Sequence, residues 1–207
     1  MKESPRAELA LLGTTLAVIL WSGWQPHDRF TWWLEASPGL AGIAVLLATY
    51  RRFRFTTLVY TLIALHVCVL CVGGHYTYAR VPLFDWLRPL FAWQRNNYDR
   101  LGHFMQGFVP AMIAREIIIR LEVLKRQNWL PFVVVSICLA ISAFYELIEW
   151  WTALLSGSAA NDFLGSQGDA WDTQSDMCVA LIGAISALIL LSALHNRALR
   201  NLERRAP

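Results

Sequence analysis

"GDAWDTQSDMCVALIGAISALILLSAL", residues 168–194, decides the fold class. Its second part, from Met177 to Leu194, carries no charge and is apolar almost throughout. A helix that crosses a bilayer needs about 20 predominantly apolar residues, so this run reads as a membrane span. Its first part packs Asp169, Asp172 and Asp176 into ten residues, against the start of that span. Acids at such a boundary need a reason.

Working outward, similar runs recur along all 207 residues, 56% of which are hydrophobic. That is too apolar for a soluble domain and too segmented for a single buried core. Helices are expected over roughly 9–24, 36–50, 55–74, 99–121, 130–155 and 173–195. The chain therefore reads as all-α: one integral membrane domain, residues 1–207, built as a bundle of about six transmembrane helices. The second run is the shortest, and its start reaches back towards Trp32.

Charge gives the orientation. With six alternating helices, thirteen of the eighteen basic residues fall on the side of the two termini and of the 51–54 and 115–127 segments. They run from Lys2 and Arg6 to Arg204 and Arg205. Arg29, Arg80, Arg88, Arg95 and Arg100 fall on the other side. Short loops rich in Lys and Arg stay in the cytoplasm, so both termini are expected inside (N-in/C-in). The net charge of +3 hides this asymmetry and gives no footprint for nucleic acid. Most of the ten tryptophans fall at predicted helix ends, as an interfacial belt requires. The first helix ends in "LWSGWQP", without a small-residue cleavage site, and reads as a retained anchor.

The acids gather on the opposite side. Asp85 and Asp162 read as solvated loop residues. Glu146 and Glu149 do not, because they follow a long uncharged stretch of helix in "SAFYELIEWW". A carboxylate at membrane depth costs about 2.5–3.5 kcal/mol by insertion scales and faces protein interior or a water-filled cavity. Their spacing of three puts both on one face. Asp99 and His103, four apart, open the next candidate wall in "NNYDRLGHFMQGFVP". Pro110 there cannot donate to the carbonyl of Gln106. His75 ends the third run, and Asp172 and Asp176 open the last. Four segments thus bring His or carboxylate residues to one end of the bundle.

These segments carry a resemblance. "HYTYARVP", "YDRLGHFMQGFVPAMIAREIIIR", "FYELIEWW" and "GSQGDAWDTQSDMCVALIGA" resemble the signature segments of the YjdF-like bacterial inner-membrane proteins. The resemblance covers the chain from about His75 to Ala184. It implies a multi-pass helical protein of the bacterial inner membrane and supplies no reaction. More loosely, D-x-x-x-H-F, then an acidic helix, then D-x-x-x-D before a small-residue helix is similar to the VanZ-like membrane proteins. "YELIEWW" stands where that pattern has Glu followed by Gln.

The residues themselves point to a divalent metal site with His103, Glu146, Glu149, Asp172 and Asp176 as ligands. Imidazole with carboxylates suits zinc, manganese or iron. Such a site at headgroup level suits hydrolysis or group transfer on a lipid-linked or envelope substrate, with His75 or Glu149 as general base. Helix capping is the competing account of Asp99, Asp172 and Asp176, and it leaves Glu146 and Glu149 unexplained. Two further classes stay open: an ion, proton or small-solute transporter, and a non-catalytic protein that holds a lipid headgroup. Cys68 and Cys71 form C-x-x-C inside an apolar run and read as small buried hydrophobes. "AREIIIRLEVLKRQ" reads as an amphipathic extension of the fourth span, with Glu116 and Arg120 paired and Arg115 snorkelling to headgroups. No Walker loop, nucleophile elbow, HExxH or dinucleotide fingerprint is present. The expected partners are membrane lipids, and oligomeric state is not legible.

Overall fold

The computed structural model describes residues 4–156 and 166–204. Lys2, Asp162 and Arg205 lie outside the described residues. All regular structure among the described residues is helical: α1 (Pro5–Gly23), α2 (Arg29–Thr49), α3 (Thr57–Tyr76), the short α4 (Pro82–Leu87), α5 (Tyr98–Arg120), α6 (Leu130–Ser156) and α7 (Asp172–Glu203). Two 3-10 turns, Tyr78–Arg80 and Gln127–Trp129, precede α4 and α6.

Local chemistry sets several starts. Pro5 occupies the first turn of α1, where its missing N–H costs nothing. Asp28 caps α2 by accepting from the Thr31 N–H at 2.7 Å. Thr56 does the same for α3 through the Val59 N–H at 3.3 Å. The Asp28 cap starts α2 earlier than the apolar pattern suggests, so Glu35 lies inside the helix. Pro38 does not break α2, because the Ser37 hydroxyl donates at 3.0 Å to the Leu34 carbonyl that the proline leaves unpaired.

Two expectations are corrected at the end of α5. The helix does not continue through "LEVLKRQ": it stops at Arg120, and Glu122 adopts a positive φ of 50°. Arg115 does not snorkel outward. It is buried, donating to His195 Nδ1 at 2.8 Å and to Asn196 Oδ1 at 2.7 Å.

Four helices, α2, α3, α6 with its preceding turn, and α7, are long and apolar enough to cross a membrane. The central α5 misses that standard because it carries Asp99, His103, Arg115 and Glu116, all buried among the other helices. Large apolar side chains such as Leu20, Leu155, Ile189 and Leu190 stand exposed on the outer faces, and Trp24, Trp129 and Trp171 stand exposed at helix ends. That is the surface a bilayer covers.

α3 and α5 form the centre, with α1 and α2 against α3, and α6 and α7 against α5. The closest crossing is α5 on α7. A Cβ on Gly107 would strike the Ala180 carbonyl, and one on Gly183 would strike the Phe104 carbonyl. Ala180, Ala184 and Ala187 are fully buried along the same contact. Small residues let the backbones approach this closely, which brings the polar start of α7 onto the polar start of α5.

At the far end of α5, Glu116 is completely buried. It accepts from the Thr56 N–H at 2.9 Å, the Thr56 hydroxyl at 2.7 Å, His195 Nε2 at 2.9 Å and Arg120 at 3.0 Å. Arg115 can only donate, so His195 Nδ1 accepts from it and Nε2 carries the proton given to Glu116. Nearby, Glu8 on α1 accepts from Tyr50 at 2.7 Å and pairs with Arg54 at 2.5 Å. This basic end ties α1, α3, α5 and α7 together.

Candidate functional site

The other end is built around His103, only 4% exposed on the second turn of α5. One turn back along the same face, Asp99 Oδ1 lies 3.6 Å from His103 Nε2, and Asp176 Oδ2 of α7 lies 4.0 Å from the same nitrogen. On the opposite edge of the ring, Nδ1 lies 3.2 Å from Gln106 Oε1 and 3.7 Å from Glu146 Oε1 of α6. Two ligand-type groups therefore share one imidazole: Asp99 with Asp176, and Glu146 with Glu149. Ligands of one ion at about 2.1 Å stand about 3–4 Å from one another, and the first group already approaches this. Nδ1 faces the Gln106 oxygen and Nε2 faces Asp99 and Asp176; with the proton on Nδ1, the Nε2 lone pair would point at those two carboxylates. Glu146 then stands where a carboxylate orients a ligating histidine through its other nitrogen. Asp176 Oδ1 and Glu146 Oε1 are both buried without a hydrogen-bond partner.

A basic collar lies over this group. Arg95, just before α5, donates to Asp172, to Asp99 at 3.3 Å and to the Ser166 carbonyl at 3.1 Å. Arg100 pairs with Asp169 at 3.1 Å. Burial alone would lower the Arg95 pKa, but the Asp172 bond and the charges of Asp172, Asp99 and Asp176 hold it above the ordinary arginine value. Gln167 and Asn96 clasp the two loops, with Asn96 N–H donating at 3.0 Å and Gln167 Nε2 returning a bond at 2.8 Å. Asp85, expected to be solvated only, accepts from Asn96 Nδ2 at 3.0 Å.

Beside His103 opens a cavity of about 210 Å³, walled by α2, α3, the Tyr78 turn, α5 and α6. Glu35, Asp99 and Glu149 line it, with Tyr78, Tyr145 and His66. Glu35 is 4% exposed and accepts from the Tyr145 hydroxyl at 3.3 Å. The Tyr78 ring reaches this wall through a slot left by two glycines: a Cβ on Gly73 or Gly102 would meet the ring. The preceding residue, Thr77, takes φ 60°, an unusual conformation for a β-branched residue, to make that turn. Burial, then the nearby Glu35 charge, pushes the Tyr78 phenol well above its usual pKa.

Of the residues singled out from sequence, His103, Glu146, Glu149 and Asp176 come together. Asp172 does not join them, because Arg95 holds its carboxylate. His75 is also apart: its Nδ1 lies 3.0 Å from the Ser22 carbonyl and its ring lies 4.6 Å from that of Trp21, between α1 and α3. The capping account is corrected. Trp171 and Asn97 are the N-caps of α7 and α5, and neither helix has a side-chain cap bond. Glu35, Tyr78, Tyr145, His66 and Arg95 were not singled out as site residues. The sequence signal for Glu35 was the second run's start, which reaches back towards Trp32 and, with the Asp28 cap, carries Glu35 into the bundle.

Family relationships sharpen this picture. The model of the family described as "Predicted membrane protein (DUF2238)" matches residues 7–197. The chain belongs to this family. It is 49% identical over 187 residues, 90% of each chain, to "Inner membrane protein YjdF" of Escherichia coli (strain K12). No solved structure matches it. The chain is a multi-pass protein of the bacterial inner membrane, and the pocket described here sits in the part of it that the family match spans.

Proposed function

We propose that this protein crosses the membrane six times with both termini in the cytoplasm, and that its acidic end is a metal-supported hydrolase or transferase centre at the outer leaflet. The observation that carries the reading is the pair of buried, unpartnered carboxylate oxygens of Asp176 and Glu146 on either side of His103. Buried carboxylates without a compensating cation are costly, and a divalent ion on Nε2 of His103, Asp99 and Asp176 removes that cost. Such an ion supplies Lewis acidity and an activated water. Glu146 orients His103, and Glu149, facing the cavity, is the general base. The substrate class is a lipid-linked or envelope molecule whose reacting group enters from the outer headgroup layer.

Metal content of the purified protein tests this, compared with His103→Ala and Asp176→Asn. The expected result is near-stoichiometric metal in wild type and loss in both variants. Equal metal in all three, or none in carefully handled wild type, sinks the reading.

A second reading, ion or proton passage, has one observation in its favour. His66 lines the cavity near the middle of α3, well below the acidic end, and transport pathways place polar groups at that depth. Proton flux into proteoliposomes, absent in His66→Leu, would favour it over the metal centre.

A further inference from the structure

We infer that the cavity beside His103 binds a primary ammonium group, with the Glu35 carboxylate as its charged seat. This names the substrate class of the pocket and rests on reading it as a substrate site.

Charge comes first. Glu35, Asp99 and Glu149 line the cavity, and among the described residues no Lys or Arg does. Arg95 and Arg100 are engaged above, with Asp172, Asp99 and Asp169. Asp99 has that basic neighbour, whereas Glu35 is bonded by neutral phenol hydroxyls, those of Tyr78 and of Tyr145 at 3.3 Å. An anion entering here would meet three carboxylates with no Lys or Arg among the described lining residues to offset them. A buried carboxylate pays a large desolvation cost until a cation pairs with it.

The hydrogen-bonding inventory narrows the class. A primary ammonium has three donors and no acceptor. The wall offers acceptors: the Glu35 and Glu149 carboxylates, and His66, whose Nε2 is buried without a partner. Gln106 and Pro110 also line it, and the proline leaves the Gln106 carbonyl without its helical donor. At Pro38 the corresponding carbonyl is satisfied by Ser37. A quaternary ammonium has no N–H to give and relies on an aromatic cage, and the phenol rings lining this cavity are those of Tyr78 and Tyr145 alone among the described residues.

Size narrows it again. About 210 Å³ lies below the roughly 300–1,000 Å³ of pockets that enclose drug-sized ligands. It admits an aminoalkyl fragment and is too small for an entire lipid. The ammonium can belong to a lipid headgroup or to a free amine.

The test uses the full-length protein, stripped of metal with EDTA, in phosphatidylcholine nanodiscs. Ethanolamine and choline are titrated calorimetrically. Saturable ethanolamine binding is expected, with choline at least about tenfold weaker. Loss of one charged hydrogen-bonding partner corresponds to about ten- to a hundredfold in affinity, the weakening expected for Glu35→Gln. Glu149→Gln carries the same expected direction if the first variant does not fold. Repeating the titration in phosphatidylethanolamine nanodiscs separates the sources: suppression of ethanolamine binding assigns the lipid headgroup, and unchanged binding assigns a soluble amine. Absence of ethanolamine binding to wild type, choline binding equally well, or a folded Glu35→Gln with wild-type affinity would each overturn the proposal. Because metal is removed beforehand, ammonium binding to a protein that purifies without metal would refute the metal centre and leave this inference standing. Bound metal without ammonium binding would do the reverse.

Discussion

Glu116 and Asp176 are both carboxylates with almost no exposure, 0% and 2%, on the two helices that form the tightest contact in the bundle or facing across it. Their surroundings differ. Glu116 accepts from Thr56 twice, His195 and Arg120, and no atom of that network is left buried without a partner among the described residues. Asp176 has one oxygen with no partner and its other 4.0 Å from an imidazole shared with Asp99 and Glu146. A fully paired buried network fixes helices relative to one another, whereas a half-satisfied one keeps a vacancy for chemistry at a cost in stability. The network at the basic end is fully paired and the cluster at the acidic end is not.

The largest effect expected from this contrast is at Glu116. Glu116→Ala leaves the buried Thr56 and His195 donors without their acceptor and removes the Arg120 pair, and should destabilise by about 3–5 kcal/mol, read as a drop in the thermal midpoint in detergent. A smaller loss than that of any acidic-end substitution would break the comparison. Gly183→Val comes next. Its Cβ would meet the Phe104 carbonyl, which is backbone and cannot swing aside, so about 1–3 kcal/mol of overpacking is expected. If unfolding in detergent is unchanged, the α5–α7 crossing is looser than described.

Asp176→Asn should behave the other way. It removes a charge with no full partner, so the metal-free protein should change by less than about 1 kcal/mol, while bound metal is lost. A metal at a hundredfold excess over its Kd contributes about 2.7 kcal/mol, so EDTA should lower the midpoint of wild type and leave Asp176→Asn unmoved. A midpoint that EDTA lowers equally in both would remove Asp176 from the ligand set. The smallest effect on stability, and the most informative for topology, is expected from single cysteines introduced as Arg51→Cys and Asp162→Cys in a cysteine-free background. An impermeant thiol reagent added outside should label position 162 alone. Labelling at position 51 instead would put the basic end outside and the acidic pocket in the cytoplasm.

The helical membrane class was legible because a bilayer constrains composition directly: spans must be apolar, and α3, α6 and α7 announce themselves by that alone. Partial legibility followed where a residue's meaning is set by spacing on one helix, as with Asp99 and His103 or Glu146 and Glu149. Glu35 and Tyr78 were hidden for a different reason. Hydropathy places Glu35 near the start of the second run but not which face of α2 meets the cavity, and it does not record the glycine slot that admits the Tyr78 ring. Arg115 misled because the same long side chain can snorkel to lipid or bury against His195.

Sequence by itself determined that this chain is all-helical and membrane-embedded, and that its acids concentrate where His103 lies. Only tertiary structure decided which acids remain unpaired. Arg95 claims Asp172, Trp171 and Asn97 take the cap positions, and His75 turns to Ser22. Pairing depends on which helix faces which, and that is set by the Gly107 and Gly183 contact, whose consequences no local pattern in "GDAWDTQSDM" encodes.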